Sequence, residues 1–311
     1  MVAKFVFSID CEGKWGIADR GEQRLSQLTS KRLLNAYGDI LTTLNRNDIR
    51  ASFGFVGALC MNSEWLHERL KCKEETLAFA GKNWLEGARQ GISANDLSGW
   101  SEPGLIELVL KDGGQHICSH GGFHVPYDEK NTPEESILSD IKVIQEVRNY
   151  FGLKLDLLIY PRNVIGYQHL LAKAGFKGYR GLDRSESISG FVGKAYRIAN
   201  EFLSIDSNDL AHVGGARDGG LIRLSSAKFL NAKIGIRKVV AACVTKKRVT
   251  ALIKYAVLHG ATVHFYTHPH NFISDPTMME KLDYLMKLVA SYEKSGDLKV
   301  MTMEDELNGF V

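Results

Sequence analysis

The sequence predicts an α/β fold whose core is a parallel sheet. Two observations support this prediction: short runs of β-branched and aromatic residues alternate with longer stretches of helical periodicity, and each helical stretch precedes a strand-like run. The strands expected within the 311 residues are 4–9, 51–56, 115–118, 155–160, 178–180, 262–266 and 298–301. Seven strands of this kind indicate a barrel-like or a doubly wound architecture.

The helices between these strands are indicated by apolar periodicity and by capping residues. Residues 30–45 place four leucines and a tyrosine at helical spacing. Thr132 and Glu135 match the capping-box pattern, and Pro133 suits the first turn of the helix expected to follow. Further helices are expected at 248–259 and 278–293.

The chain is expected to form one domain over residues 1–311. No internal repeat, low-complexity tract or linker-like segment divides it. Two stretches look like insertions into the repeating pattern. Residues 62–100 hold three of the four tryptophans, and residues 183–227 are rich in Gly, Ser and Asp.

The composition excludes several classes of protein. A content of 44% hydrophobic and 24% charged residues is unlike that of a disordered chain, and a net charge of +3 is too small to predict nucleic-acid binding. The five cysteines are scattered, which favours reduced thiols over a disulfide framework. The apolar run 5–9 is too short for a signal peptide, and histidines and a proline interrupt the weakly charged segment 255–274. We therefore expect a cytoplasmic protein that binds a small molecule and does not insert into a membrane; no feature indicates an oligomeric state.

Two acidic residues end the first predicted strand. Asp10 and Glu12 are two positions apart, so an extended backbone points both side chains to the same side. Two neighbouring carboxylates repel each other unless a cation lies beside them. The pattern therefore favours either a metal site or two solvated acids in a turn next to Lys14.

Histidines follow two other predicted strands. His120 and His124 are spaced i, i+4, which allows both rings to reach one metal ion, while the nearby His116 fits a packed core position. His268 and His270 follow the strand 262–266. For the pair at 120 and 124, a metal site and a purely structural role are equally compatible with the spacing.

A further polar group follows the strand 155–160. Arg162 and Asn163 come directly after Tyr160 and Pro161. The guanidinium of Arg162 could orient a carboxylate, bind an anionic substrate or form a surface ion pair. All of these groups follow predicted strands, and the carboxyl ends of parallel strands meet at one face of the fold.

Other reaction chemistries find less support in the sequence. There is no G-x-S-x-G nucleophile elbow, no Walker loop, and no G-x-G-x-x-G after the first strand. A cysteine nucleophile paired with His268 is an alternative, since Cys11 and Cys118 lie close to the candidate residues.

In order and spacing, the segments from Ser8 to Asn271 resemble the polysaccharide deacetylase family, the NodB-homology group related to carbohydrate esterase family 4. The resemblance implies a distorted (β/α) barrel of about seven parallel strands with loop insertions. It further implies one divalent metal ion, with zinc as first choice and cobalt, nickel or iron as alternatives. The metal ligands it implies are Glu12, His120 and His124. The catalytic residues it implies are Asp10 as base, His268 as acid and Arg162, which orients the base. The substrate-binding residues it implies are Tyr160, Asn163, His270 and Arg217.

The sequence departs from the family pattern at several positions. Glu12 replaces the usual aspartate ligand, and Gly121 stands where serine or threonine is usual. Arg162 follows a proline instead of preceding it, and no tryptophan occurs after Trp100. The residues that would line an acyl pocket are therefore not identified by the resemblance.

The function implied is metal-dependent removal of an N-acyl group, acetyl or formyl, from an amino sugar or a nucleotide-sugar precursor of a surface polysaccharide. One alternative keeps the metal site and hydrolyses another C–N bond, as allantoinase or cyclic-imidase relatives do. A second alternative is a carbohydrate-binding protein without turnover.

Overall fold

The structure is a computed structural model that describes residues 1–18, 25–71, 77–183, 190–204, 210 and 215–310. Its strands are, in chain order, β1 (Ala3–Cys11), β2 (Ser52–Phe55), β3 (Ala78–Phe79), β4 (Lys82–Asn83), β5 (His116–Ser119), β6 (Leu157–Leu158), β7 (Gly178–Gly181), β8 (Ala216–Asp218), β9 (Leu221–Phe229), β10 (Thr262–Thr267) and β11 (Leu298–Met301). Its α-helices are α1 (Ser30–Arg46), α2 (Gly57–Cys60), α3 (Ser63–Lys71), α4 (Glu86–Ser93), α5 (Pro103–Asp112), α6 (Glu134–Phe151), α7 (Gln168–Lys173), α8 (Gly190–Leu203), α9 (Ala242–His259), α10 (Pro269–Ser274), α11 (Met278–Ser295) and α12 (Met303–Asn308). Short 3-10 helices are found at Trp15–Ile17, Pro161–Asn163 and Gly235–Val239.

Seven of the strands close into a parallel barrel. Their hydrogen-bonded order is β1, β2, β5, β6, β7, β9 and β10, and β10 pairs again with β1. Every neighbouring pair in this ring is parallel. The predicted (β/α) barrel of about seven strands is therefore confirmed, and the carboxyl ends of its strands meet at one rim.

The membership of the barrel differs from the prediction at one position. Residues 298–301 form the expected strand β11, but it pairs with the beginning of β1 outside the closed ring. The seventh barrel strand is β9, which begins inside the stretch 183–227 that the composition indicates as an insertion and ends at Phe229. The sequence pattern hides β9 because Ser225 and Lys228 are buried with polar partners, which breaks the apolar alternation. Parts of the two predicted insertions lie outside the described residues, namely 72–76, 184–189, 205–209 and 211–214.

The two faces of β1 show how the barrel separates apolar from polar chemistry. Phe5, Phe7 and Ile9 pack outward in the main hydrophobic core. The alternate residues point inward, where Val6 joins a small apolar cluster and Asp10 lies further along the strand. The interior is thus apolar near the strand starts and polar towards their carboxyl ends.

The C-terminal helix α12 contributes to the apolar end of the interior. Thr302 and Asp305 form a capping box, with the Asp305 N–H donating to Oγ1 of Thr302 at 3.1 Å and the Thr302 N–H donating to Oδ2 of Asp305 at 2.9 Å. Met303 and Leu307 of this helix belong to the same apolar cluster as Val6. α12 also carries the buried carboxylate of Glu306 into contact with β9.

Helices on the outside of the barrel bury one apolar face each. In α11, for example, Leu282, Leu285 and Val289 are buried. The charged residues of this helix that point away from the core include Asp283 and Lys287, which pair with each other. A membrane crossing would require a longer or more apolar helix than any within the described ranges.

Candidate active site

Glu12 is the carboxylate on which three histidine rings converge. Oε1 of Glu12 lies 3.1 Å from Nε2 of His120, 3.1 Å from Nε2 of His124 and 3.4 Å from Nε2 of His268. Glu12 is buried, and a Cβ atom at Gly16 would come within 1.8 Å of its Oε2. A glycine at position 16 therefore leaves the space in which this carboxylate sits.

The turn that presents the two neighbouring histidines is held by Asp140. Its carboxylate accepts hydrogen bonds from the backbone N–H of Gly122 at 2.7 Å and of Phe123 at 2.6 Å. Gly121 has φ +83°, and a Cβ there would meet Pro161 at 2.9 Å, which explains why serine or threonine is absent at this position. His124 also has a positive φ, +60°, a conformation that surrounding structure must enforce in a residue with a side chain.

The donor set at Glu12 fits a divalent cation. Nδ1 of His120 lies 2.8 Å from the carbonyl oxygen of Ile159, which can only accept, so Nδ1 donates and Nε2 is the ring atom that faces Glu12. Burial raises the pKa of Glu12, but His268 and His124 outweigh it and hold that pKa well below its usual range, so the carboxylate is ionised. A divalent cation among these atoms would be bound by the Glu12 oxygen and by the Nε2 lone pair of a deprotonated ring together.

His124 supports the same conclusion. Burial lowers the pKa of His124, which favours the neutral ring. Its buried Nδ1 has no hydrogen-bond partner among the described residues, and the polar side-chain atom that lies close to its Nε2 is Oε1 of Glu12, at 3.1 Å without regular hydrogen-bond geometry. Two imidazoles and one carboxylate form a common ligand set for zinc, and ligand atoms of Glu12, His120 and His124 all lie within 4.8 Å of one another.

Asp10 lies beside this group and is held by Arg180 of β7. The Arg180 guanidinium donates from Nη1 to Oδ1 of Asp10 at 2.5 Å and from Nη2 to Oδ2 at 2.8 Å. Burial raises the pKa of Asp10, but the charge of Arg180 outweighs it and leaves that pKa below the ordinary value. Asp10 is therefore an ionised carboxylate whose orientation is fixed by a two-pronged ion pair.

The prediction that Arg162 orients Asp10 is wrong. The guanidinium that pairs with Asp10 comes from the middle of β7, whereas that of Arg162 lies 5.1 Å from the centroid of the Trp84 ring. The backbone explains the difference, since the 3-10 turn after β6 gives Arg162 a φ of +55°. Arg180 was missed by the motif analysis, although a charged residue inside a buried predicted strand is itself a signal that a partner is present.

His268 lies where the two acids border the cavity. Its Nε2 is 3.8 Å from Oδ2 of Asp10, and its side chain is 19% exposed, so the ring borders the open space above the cluster. Burial lowers the pKa of His268, but the charges of Glu12 and Asp10 raise it above the ordinary value. The ring is thus suited to hold a proton that it can donate.

Two of the four predicted substrate-binding residues join the cluster. Asn163 accepts from Nη2 of Arg180 at 3.1 Å and donates to the hydroxyl of Tyr266 at 3.3 Å. The ring of His270 stacks on that of His268 with centroids 4.9 Å apart, and burial lowers the pKa of His270 to about 4. Both residues line the cavity over the site.

The structure does not bring the other two residues to the cluster. Tyr160 is buried, and its ring packs against those of Tyr127 and Tyr179 in the outer hydrophobic core. Arg217 pairs in β8 with Ile222, at the beginning of β9, which is the end of the barrel away from the rim. Side-chain alternation along β6 and the residues after it turns the Tyr160 ring outward. The β8–β9 hairpin places Arg217 at the end of the barrel opposite the rim.

The alternative of a cysteine nucleophile is not supported. Cys11 belongs to the outer core, and Cys118 belongs to the apolar cluster inside the barrel. Burial raises the pKa of both thiols well above the ordinary value, which disfavours the reactive thiolate.

A cavity of about 620 Å³ opens over the cluster. Glu12, His124 and His268 form part of its lining, together with Asn163. Phe229 and Tyr266 border the same space, with ring centroids 5.3 Å apart. This volume accommodates a ligand of the size of a sugar or a sugar nucleotide.

A chain of hydrogen bonds continues from Arg180 through the interior of the barrel. Nη1 of Arg180 donates to Oγ of Ser8 at 3.0 Å, and Ser8 lies 2.9 Å from Nε2 of His264. Nδ1 of His264 lies 3.2 Å from Oγ of Ser225, which donates to Glu306 of α12 at 3.0 Å. Since the Ser225 hydroxyl donates to Glu306, it accepts from Nδ1 of His264, and Nε2 accepts from Ser8. The chain requires a neutral His264.

The neutral state of His264 predicts a pH dependence of stability. Burial lowers the pKa of His264 from 6.5 to about 3, so the unfolded chain takes up a proton over this range and the folded chain does not. The unfolding free energy should therefore be largest above pH 6.5 and should lose about 1.4 kcal/mol per pH unit from this group as the pH falls below that value. Urea unfolding of the wild type and of His264→Gln between pH 7 and pH 4 should give a smaller slope for the variant. Equal slopes would show that His264 does not contribute.

Comparisons with known proteins show the fold. No family model matches the chain, and the search of curated proteins found no match. A solved structure from Mycobacterium smegmatis, named as a polysaccharide deacetylase, matches with a TM-score of 0.63 and 14% identity over 99% of this chain and 90% of that one. One from Pseudomonas aeruginosa PAO1 with the same designation has a TM-score of 0.60 at 11% identity over 98% and 89% of the two chains. The Puue allantoinase structure has the same values, 0.60, 11%, 98% and 89%. The chain has the fold of these proteins, as the resemblance implies.

Proposed function

We propose that the protein is a metal-dependent hydrolase that removes an N-acyl group, acetyl or formyl, from an amino sugar or from a nucleotide-sugar precursor of a surface polysaccharide. The observation that carries this proposal is the meeting of Asp10, Glu12, His120, His124 and His268 at one rim of the barrel. A carboxylate base, a candidate metal site and a histidine acid are thus available to one bound amide.

The candidate cofactor is one divalent ion held by Glu12, His120 and His124, with zinc as first choice and cobalt, nickel or iron as alternatives. When bound, such an ion supplies a Lewis acid that polarises an amide carbonyl and lowers the pKa of water. The hydrogen bond from Nδ1 of His120 to Ile159 fixes the ring so that Nε2 is available as a ligand.

Asp10 is the candidate general base. Arg180 keeps the carboxylate ionised and fixes both of its oxygens, so that a water molecule in the cavity can deliver a proton to Oδ2 as it attacks the amide carbon. Ser8 and Asn163 bind the same guanidinium and hold it in place. Orientation of the base is therefore built into the barrel before substrate binds.

His268 is the candidate general acid. Protonation of the departing amine is required because an amide anion is a poor leaving group. The raised pKa of His268 favours the protonated ring near neutral pH, and its position at the edge of the cavity lets Nε2 reach a leaving nitrogen. The stacked ring of His270 restricts the orientation of the acid.

A second candidate function is hydrolysis of a different C–N bond by the same residues. The allantoinase structure matches this chain with a TM-score of 0.60, equal to that of one of the deacetylase structures. A ureido or cyclic amide substrate would need the same base, acid and metal, so the choice between the two depends on the cavity.

The proposed function can be tested by measuring acid release. Metal-free protein, prepared with a chelator, should be inactive, and added Zn²⁺ or Co²⁺ should restore release of acetate or formate from N-acetyl and N-formyl sugars and nucleotide sugars. Ureido compounds, tested alongside, distinguish the second candidate. Acid release that persists in the absence of metal would rule out the mechanism, and sugar binding without any hydrolysis would indicate a binding protein.

A further inference from the structure

We infer that the substrate of this site carries a phosphate group and that Arg237 binds it. The inference rests on the proposed function for the position of the reacting amide. Of the neutral and phosphorylated sugars that the proposed function allows, it selects the phosphorylated class, and it assigns a binding residue outside the catalytic cluster.

The charges around the cavity are unbalanced. Among the described residues that line it, Glu12 is the only carboxylate. The cationic side chains of the same lining come from two parts of the rim, Arg162 after β6, and Lys233, Arg237 and Lys238 after β9. A neutral glycan needs no such excess, whereas clustered cations concentrate an anionic ligand.

Arg237 lies close to the reacting groups. Its guanidinium is 5.1 Å from the centroid of the Phe229 ring, and that ring is 5.8 Å from the ring of His268. One aromatic side chain thus separates Arg237 from the candidate acid. A sugar whose acyl nitrogen faces His268 could lie against Phe229 and extend its substituent to Arg237.

The carboxylate beside Arg237, that of Glu201, is shared with a second guanidinium group. Glu201, which is buried, lies 3.7 Å from Nε of Arg237 and 3.7 Å from Nη1 of Arg248. One anion is therefore positioned between two guanidinium groups. The buried Nε of Arg237 has no hydrogen-bond partner among the residues described.

The number of cations favours phosphate over carboxylate. Within the described part of the chain, four cationic side chains border the cavity, and a phosphate monoester carries close to two negative charges near neutral pH. The planar guanidinium of an arginine binds two phosphate oxygens at once. Gly235, with φ +58°, begins the 3-10 helix Gly235–Val239, from which Arg237 and Lys238 reach the cavity lining.

Binding to the metal-free protein tests this inference without relying on turnover. Calorimetric titrations would use N-acetylglucosamine 1-phosphate and UDP-N-acetylglucosamine, each compared with N-acetylglucosamine. Both phosphorylated probes should bind at least about tenfold more tightly than the neutral sugar, and Arg237→Gln should remove about tenfold or more of that affinity. Arg237→Lys, which keeps the charge, should recover part of it.

Arg46→Gln is the matched control, because Arg46 also faces one carboxylate at a long distance, 3.5 Å, but lies on α1 away from the cavity. It should leave all three affinities unchanged. Equal affinity for neutral and phosphorylated sugars, or unchanged phosphate affinity in Arg237→Gln, would overturn the inference. If metal-loaded protein hydrolyses neutral sugars as well as phosphorylated ones, the proposed function stands and the phosphate inference fails. If phosphate binding depends on Arg237 but no substrate is hydrolysed, the phosphate inference stands and the proposed function fails.

Discussion

Replacement of Asp10 by asparagine is expected to lower the rate of amide hydrolysis by about 10²- to 10⁴-fold, the range typical for loss of a general base. The asparagine side chain has the same size but cannot accept the proton of the attacking water. Metal content should remain at the wild-type level, because the three candidate ligands Glu12, His120 and His124 are unchanged. Steady-state kinetics and elemental analysis of the same preparation measure the two effects.

Asp283→Asn is a suitable control, since Asp283 lies on the outer helix α11 and pairs with Lys287 and Arg46. It should leave both activity and metal content unchanged. If Asp10→Asn retains wild-type kcat, Asp10 is not the base. If the variant loses its metal together with its activity, Asp10 acts as a ligand and the assignment of roles is wrong.

Replacement of Arg180 by methionine should have the second large effect. It leaves Asp10, which is 2% exposed, without its cationic partner, and breaking one half of a buried ion pair costs about 3–5 kcal/mol of stability. The pKa of Asp10 should then rise, because burial raises it and the opposing charge of Arg180 is gone. Hydrolysis near neutral pH should fall because a smaller fraction of the base is ionised.

A double-mutant cycle separates the ion pair from packing effects. Arg180→Met combined with Asp10→Asn removes the uncompensated charge, so the double variant should be more stable than Arg180→Met alone. Urea unfolding of the four proteins gives the coupling free energy. Additive effects of the two substitutions would show that the pair is not coupled in solution.

The barrel was largely predictable from the sequence because most of its strands show an apolar or alternating pattern. β1 is an example, with Phe5 and Phe7 on the outer face. β9 was not predictable in this way, since Ser225 and Lys228 are buried through polar contacts with Glu306 and Asp183. Such contacts depend on distant parts of the chain, which local periodicity does not report.

The site was predictable where its residues follow strand ends. Asp10, Glu12 and His268 were recognised because the carboxyl ends of parallel strands converge, and the structure brings them within contact of one another. Arg180 lies inside β7 instead, so a search for polar residues after strands passes over it. Arg217 shows the opposite error, because its charge was noted without knowledge of which barrel end β8 occupies.

Glu12, His120 and His124 are expected to bind one divalent ion between them. Crystals of the protein grown with Zn²⁺ and measured at the zinc absorption edge test it most directly. We expect a single strong anomalous peak within about 2.0–2.2 Å of Nε2 of both histidines and of a Glu12 oxygen. The absence of a peak among these three side chains, with His120 or His124 turned away from Glu12, would contradict it.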